Sequence, residues 1–375
     1  MRIILTGGGS GGHFYPLIAV ARSIRNLAEV QKITNLELIY ASDEPFDSKL
    51  LQEEDIRFLA IPAGKIRRYF SIKNIFDPFK TFFGVIRAIW IIYLNLPDVV
   101  FGKGGYASFP TLYAARILGV PIIIHETDAV PGKVIKCASR FAKRIAISFP
   151  EAAKFFPADK TALTGNPIRK EITLGSGQEA AEIFKLEPSL PVILIYGGSQ
   201  GSEKINGSIL DILPELLEIS QVVHQCGRNN IGAINSRAGI MLEKSTHPER
   251  YHSLPYFDER ELRNILKVAN LAISRAGGGS LFEIAISGIP ALVIPLPTSA
   301  QDHQRENAYA YARTGAAEVI EEANLTPHIL LDRIKKLLAD LPRQTSMIEA
   351  AKKFAKPDAA DKIAREIFKL IEEHN

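Results

Sequence analysis

The chain opens on the unit that restricts its fold more than any other stretch. An apolar run, Arg2-Ile3-Ile4-Leu5, meets Thr6-Gly7-Gly8-Gly9-Ser10-Gly11-Gly12-His13, and a helical pattern leaves it with Pro16 near its start and Leu17, Val20, Ala21 and Ile24 on one face. A strand that turns through glycines into an amphipathic helix begins a parallel β-α-β unit. Glycines admit a ligand close to backbone N–H groups, and a helix N-terminus adds partial positive charge, so the turn suits a diphosphate. Gly7, Gly9 and Gly12 match G-x-G-x-x-G, which would also suit a dinucleotide enzyme with Asp43 or Glu44 as its ribose carboxylate. His13 fits that use less well, since a dinucleotide fold needs no side chain there.

The plan recurs along the chain. Apolar runs alternating with helical patterns predict strands near residues 2–5, 36–40, 57–61, 99–101, 122–124, 144–147 and 162–163. At 190–196 a wholly apolar run enters Gly197-Gly198-Ser199-Gln200-Gly201, and strands are predicted again near 221–224, 251–254, 271–273, 291–294 and 318–320. This alternation predicts the α/β class: two Rossmann-like parallel-sheet domains with a cleft between them and ligands at the carboxyl ends of both sheets. Gly165-Asn166-Pro167-Ile168-Arg169 and the polar residues 174–180 read as hinge and linker. The expected division is 1–165, 166–347 and a helical tail, 348–375, that packs back across the domains.

Composition narrows the function. With 46% hydrophobic residues in 375, the chain can bury two ordinary cores. A net charge of +4 is too small to predict a nucleic-acid partner. Cys137 and Cys226 stand far apart without metal-ligand spacing, so neither a disulfide framework nor zinc is expected, and a reducing cytoplasm fits. The N-terminus lacks the pattern of a signal peptide. The most membrane-like stretch, 81–96, is shorter than the ~20 apolar residues of a spanning helix and is interrupted by Arg87. A soluble protein is expected, with that stretch as a candidate membrane-contacting surface.

Other stretches carry candidate chemistry, each with a plainer reading beside it. Gly102-Lys103-Gly104-Gly105-Tyr106 brings more glycines to the sheet edge that holds the first loop. One such turn is commonly structural, whereas two at one edge favour a diphosphate. His13 reads evenly as general base or helix-start residue; Asp128, in His125-Glu126-Thr127-Asp128, reads as a base or as a cap for the segment from Pro131-Gly132. After Ser274-Arg275-Ala276-Gly277-Gly278-Gly279, a helix over 280–287 gives Ser280 and Glu283 capping-box spacing, and Glu283 could equally accept from ribose hydroxyls. Gln301-Asp302-His303-Gln304 and Asn307 suit sugar hydroxyls, or form a solvated helix start. Residues 65–93 interleave Lys65, Arg67, Arg68, Lys73, Lys80 and Arg87 with Tyr69, Phe70, Phe76, Phe79, Phe82, Phe83 and Trp90. Singly such aromatics are more often core; clustered with cations they suit an anionic lipid surface.

In order and kind, several of these stretches resemble the glycosyltransferases that add N-acetylglucosamine to lipid I in peptidoglycan synthesis, the MurG family. They are residues 7–13, residues 102–110 with Gly-Gly-Tyr, His125-Glu126 with Val130-Pro131-Gly132, residues 165–169 and 197–201, residues 274–278 with Glu283, and Asp302-His303-Gln304 with Asn307. The resemblance spans nearly the whole chain. It implies a GT-B fold and inverting transfer from UDP-N-acetylglucosamine to the muramoyl sugar of lipid I, giving lipid II. It implies no required cofactor, with divalent-cation stimulation left open, and a cytoplasmic enzyme peripheral on the inner face of the cell membrane. The alternatives are a related GT-B enzyme with another lipid acceptor, a nucleotide-sugar 2-epimerase of the same fold, or a membrane scaffold without turnover.

Carried over by residue, Gly7, Gly8, Gly9, Gly102, Gly104, Gly105 and Tyr106 would cradle the acceptor's diphosphate. Ser10, Gly11, Gly12, His13 and Asp128 would lie near the donor sugar, Arg169, Ser199, Gln200 and Gly201 at the nucleotide or diphosphate, Glu283 at the ribose, and Gln304 with Asn307 at the sugar hydroxyls. His13 or Asp128 would take the acceptor's proton, no metal site is implied, and Lys73, Phe76, Phe79, Lys80, Phe83 and Arg87 would meet the membrane. Two positions depart from the family: Thr127-Asp128 where Gln-Asn or Ser-Asn is common, and Arg305 where some members have glutamine. The first puts the acceptor contact in question, because an amide has become a carboxylate.

Overall fold

A computed structural model describes residues 1–65, 73–198, 201–243 and 245–374, with 73–75 described by backbone alone. The chain forms two compact units, Met1–Arg169 with Pro357–Asn375, and Lys170–Lys356. In the first unit, β1 (Arg2–Thr6), β2 (Glu37–Ser42), β3 (Arg57–Ala60), β4 (Val99–Gly102), β5 (Ile122–Glu126), β6 (Arg144–Ile147) and β7 (Thr161–Leu163) form a parallel sheet ordered β3-β2-β1-β4-β5-β6-β7. In the second, β8 (Val192–Tyr196), β9 (Gln221–Gln225), β10 (Tyr251–Leu254), β11 (Leu271–Ser274), β12 (Ala291–Val293) and β13 (Ala317–Val319) form a parallel sheet ordered β10-β9-β8-β11-β12-β13. Every strand predicted from the apolar runs is present, with no end displaced by more than two residues.

The runs are continuous rather than alternating because both faces of each sheet are covered. Along β1, Ile3 and Leu5 enter one core with Leu38, Tyr40, Val99 and Phe101, while Ile4 enters another with Ile39, Val100 and Ile124. Burying each such side chain contributes about 1.5–3 kcal/mol, so a charge at Ile4 would break the sheet at its centre. The second unit repeats the plan around Ile193, Ile195, Ile273 and Leu292.

The tail divides where a single crossing helix was expected. Helix Leu341–Phe354 stays with the second unit, its last residue stacking against Phe282 at 4.6 Å and Tyr311 at 5.0 Å between ring centroids. Helix Ala359–His374 belongs to the first unit. Its buried stripe, including Ile363, Ile367 and Ile371, joins the core of helix Gly11–Val30, and Asp361 accepts from Ser23 Oγ at 2.8 Å. The boundary falls after Arg169 rather than after residue 165, because 165–169 is tied into the first unit by the side chains described below.

Candidate active site

In each unit the strand order reverses beside its first strand, between β1 and β4 and between β8 and β11, the place where such folds hold ligands. In the first unit Thr6 pairs with Gly102, so the two glycine turns leave the sheet side by side. They also lie against each other. A Cβ on Gly105, at φ +78°, would stand 2.3 Å from the Gly8 carbonyl oxygen, and one on Gly8 would stand 2.6 Å from Ser42 Oγ. Only glycine fits there, and without side chains the backbone N–H groups are open to close approach by a ligand. Tyr106 closes its edge, the hydroxyl donating to Asp43 and Lys65 Nζ lying 5.1 Å over the ring. Asp43, weighed above as a ribose ligand, is thus engaged by the second turn.

The helix after the first turn begins at Gly11, five residues before Pro16, so His13 stands on its first turn. Pro16 is the sixth helical residue, past the first turn, and has no N–H to give the carbonyl four residues back. The N–H groups of His13 and Phe14 donate to Ser10 O at 3.1 and 3.2 Å. His13 Nδ1 meets the Lys103 carbonyl at 3.1 Å; a carbonyl only accepts, so Nδ1 carries the proton and Nε2 is the basic nitrogen.

The plain reading of Asp128 as a cap is corrected by the structure. Glu126 does that work: its carboxylate accepts from Asp128 N at 3.0 Å and from Gly132 N at 2.9 Å, at the start of helix Lys133–Ala138. Glu126 is buried, and burial, then the charge of Asp128, push its carboxyl up. Beside it lies the residue that sequence patterns left without a role. Lys103 is 1% exposed, and its ammonium donates to His125 Nδ1 at 2.5 Å, to Asn166 Oδ1 at 3.2 Å and to Thr127 Oγ1. Burial pulls the lysine down, partly offset by Glu126 and Asp128. His125 donates from Nε2 to Gly165 O at 2.9 Å, and burial and the ammonium hold it well below the usual histidine range, hence neutral. The only local signal for the lysine was a cation inside a glycine turn.

Arg169, expected at the donor, is the last residue of the first unit and lies buried over the Tyr15 ring at 4.2 Å. In the second unit, Tyr196 pairs with Ser274, so the chain leaves the sheet side by side at Gly197 and Arg275. Ser199 and Gln200 lie outside the described residues. Gly201, at φ +72°, could carry no side chain: its Cβ would stand 1.9 Å from Cys226 O. Gln225 holds the same turn by donating to Gly198 O at 2.7 Å.

The expected capping box at Ser280 is absent, because the helix runs Gly278–Ile286 and its cap position is Gly277. The glycines enter the helix, which places Ser280 at its third residue and Glu283 at its sixth. Glu283 accepts instead from the Tyr196 hydroxyl at 2.8 Å, which draws its carboxylate to the end of β8. Gln304 Oε1 accepts from Leu296 N at 3.0 Å, and Asn307, fully buried, donates to Ala276 O at 3.0 Å and so braces the turn from behind. Gln301 and Asp302 both adopt left-handed backbone, φ 53° and 56°, just before helix His303–Arg313. Two such non-glycine residues in succession are strained, as is common where a chain must present a ligand-binding group. Arg305 is exposed and pairs with Glu321 at 2.9 Å.

Helix Lys73–Asn95 buries Gly84, Ala88 and Ile92 and turns its aromatics outward: Phe76 is 66%, Phe79 63%, Phe83 63% and Trp90 60% exposed, with Lys80 and Arg87 exposed among them. The core reading of these residues therefore fails. Arg67, Arg68, Tyr69 and Phe70 and the side chain of Lys73 lie outside the described residues. Among the described residues no helix is long and apolar enough to cross a membrane.

Residues 3–147 match the N-terminal domain of glycosyltransferase family 28, and residues 192–363 its C-terminal domain. A UDP-N-acetylglucosamine–N-acetylmuramyl-(pentapeptide) pyrophosphoryl-undecaprenol N-acetylglucosamine transferase of Clostridium kluyveri is 37% identical over 364 residues, covering 96% of this chain and 97% of its own. Among solved structures, the MurG of Acinetobacter baumannii superposes with a TM-score of 0.73 at 27% identity, over 98% of this chain and 99% of its own. A UDP-GlcNAc 2-epimerase of Neisseria meningitidis bound to UDP-GlcNAc gives 0.71 at 14% identity over 98% and 100%, a likeness of fold alone.

Proposed function

The chain belongs to glycosyltransferase family 28, and we infer that it is a GT-B enzyme transferring N-acetylglucosamine from UDP-N-acetylglucosamine to lipid I in peptidoglycan synthesis. The observation that carries the division of labour is the pair of side-by-side glycine turns at the reversal point of each sheet. In the first unit the Cβ-free turns hold the lipid-linked diphosphate of the acceptor. In the second, the turns at 197–201 and 275–279 hold the nucleotide diphosphate, Glu283 the ribose and Gln304 the sugar hydroxyls.

Transfer then needs few groups. The acceptor hydroxyl attacks the anomeric carbon, the bond to UDP breaks, and the configuration inverts. His13 Nε2 takes the hydroxyl proton, with Asp128 ordering that hydroxyl. Negative charge developing on UDP falls to backbone N–H groups and to the N-terminus of helix Gly278–Ile286, with no obligatory cofactor. The exposed aromatics and cations of helix Lys73–Asn95 seat the enzyme on an anionic membrane surface, where lipid I is found.

Purified enzyme given UDP-N-acetylglucosamine and lipid I in anionic vesicles is expected to form lipid II, and donor alone to yield no epimer. Formation of an epimer from donor alone, or no transfer to lipid I, overturns the reading. Phe79→Ser/Phe83→Ser should reduce vesicle binding by roughly tenfold or more while leaving turnover of a soluble acceptor analogue intact. Unchanged vesicle binding removes the membrane role.

A further inference from the structure

Lys103 stands second in a glycine turn, with its side chain enclosed by the protein. A buried ammonium needs acceptors and counter-charge. Its three acceptors, His125 Nδ1, Thr127 Oγ1 and Asn166 Oδ1, are neutral, so they solvate the charge without cancelling it. Cancellation falls to the carboxylates of Glu126 and Asp128, the acidic groups whose fields reach it. Glu126 is pinned by two backbone N–H groups, and Asp128 is bound to it through one of them. On its other side, the Lys103 carbonyl holds Nδ1 of His13. One residue thus ties the proton-accepting histidine, through its backbone, to the Thr127–Asp128 segment, through its side chain.

We propose that Lys103 is the positioning and charge-setting residue of the acceptor site: its buried ammonium balances the Glu126–Asp128 pair and so holds Asp128 where the acceptor hydroxyl is ordered. Without it, two carboxylates two residues apart, one of them buried, oppose each other with the lysine's charge removed. A brace acting only through hydrogen bonds would be needed equally with an amide at position 128. A charge-setting lysine is needed because that position is an aspartate. The proposal rests on the reading that the first unit binds lipid I.

The test is a double-substitution cycle in the full-length enzyme: wild type, Lys103→Met, Asp128→Asn and the pair. UDP-N-acetylglucosamine and a short-chain lipid I analogue are varied in turn. Lys103→Met is expected to lower kcat/KM for the acceptor by at least ~100-fold, with the donor KM within roughly threefold of wild type. In the Asp128→Asn background the same substitution should cost less than about tenfold. Equal factors in the two backgrounds, or a loss carried by the donor KM, overturn the proposal. Lys103→Gln, which retains a hydrogen-bond donor, carries the same cycle if the methionine variant does not fold. Gly9→Ala, at φ +87° with its Cβ 2.9 Å from the Tyr106 ring, tests the underlying reading. An unchanged acceptor KM in that variant means the first unit is not the acceptor site. A raised one with equal Lys103 factors defeats the lysine proposal alone.

Discussion

Each unit buries a histidine on the second strand out from its reversal point, and the two are surrounded by different chemistry. His125, on β5, lies between a lysine ammonium and a backbone carbonyl, with Glu126 next to it. His224, on β9, lies between neutral groups, meeting Asn206 Oδ1 at 3.0 Å through Nε2 and the Tyr251 hydroxyl at 2.9 Å through Nδ1. Asn206 in turn donates to Cys226 O at 2.9 Å, the carbonyl against which Gly201 is packed. The neutral network therefore shapes the glycine turn of the second unit and does not change charge near neutral pH: burial alone takes His224 down to about 3. The ionic cluster is different in kind. Burial brings Lys103 down to about 7 and Glu126 up to about 7, so its charge distribution responds near neutral pH. One cluster supports a loop; the other carries charge beside the proposed acceptor site.

The sharpest way to break this contrast is to remove His13, the proposed base, beside the ionic cluster. His13→Ala should lower kcat by roughly 10³-fold while UDP binding stays within about twofold, read by steady-state kinetics and calorimetry. A comparable loss of UDP affinity would mean that the first unit shares the donor site. Next, Gly201→Ala forces a Cβ into Cys226 O and should weaken UDP binding by about 50-fold with the acceptor KM unmoved. If UDP binds that variant normally, the neutral network supports something other than the donor.

The smallest effect separates the clusters by pH. His224 has a folded pKa below its unfolded value, so the unfolded chain binds the extra proton, and its contribution is full above about 6.5 and falls with pH by about 1.4 kcal/mol per unit toward 3. His125 acts in the same direction. Glu126 opposes it: its raised carboxyl binds a proton in the folded state between its ordinary value, 4.5, and about 7, so its contribution is lost as pH rises through that window. The two act in opposite directions in the first unit, so the acid sensitivity of denaturant unfolding between about pH 6.5 and 4.5 should come mostly from the second. His224→Gln is expected to flatten that slope, and an unchanged slope would show that its network titrates with the rest of the chain.

Much of the fold was legible from the amino-acid order, for a physical reason. A strand covered on both faces must be apolar throughout, so runs such as Ile122-Ile123-Ile124 and Val192-Ile193-Leu194-Ile195 announce themselves. Helix starts were less visible. Helices Gly11–Val30 and Gly278–Ile286 begin inside their glycine runs, where local propensity argues against helix and tertiary context overrides it. That shift removed the capping box at Ser280 and left Glu283 to Tyr196.

By itself, then, the sequence determined the class, the doubling of the β-α-β plan, the glycine turns and the family to which they point, because these depend on periodicity and on residues a few positions apart. Tertiary structure alone decided the charge at the first site. The three acceptors of the Lys103 ammonium come from 22, 24 and 63 residues along the chain, on the ends of other elements. Desolvation and pairing act through space, so a lysine that reads locally as one more cation in a loop becomes, once buried, the charge that Glu126 and Asp128 must answer.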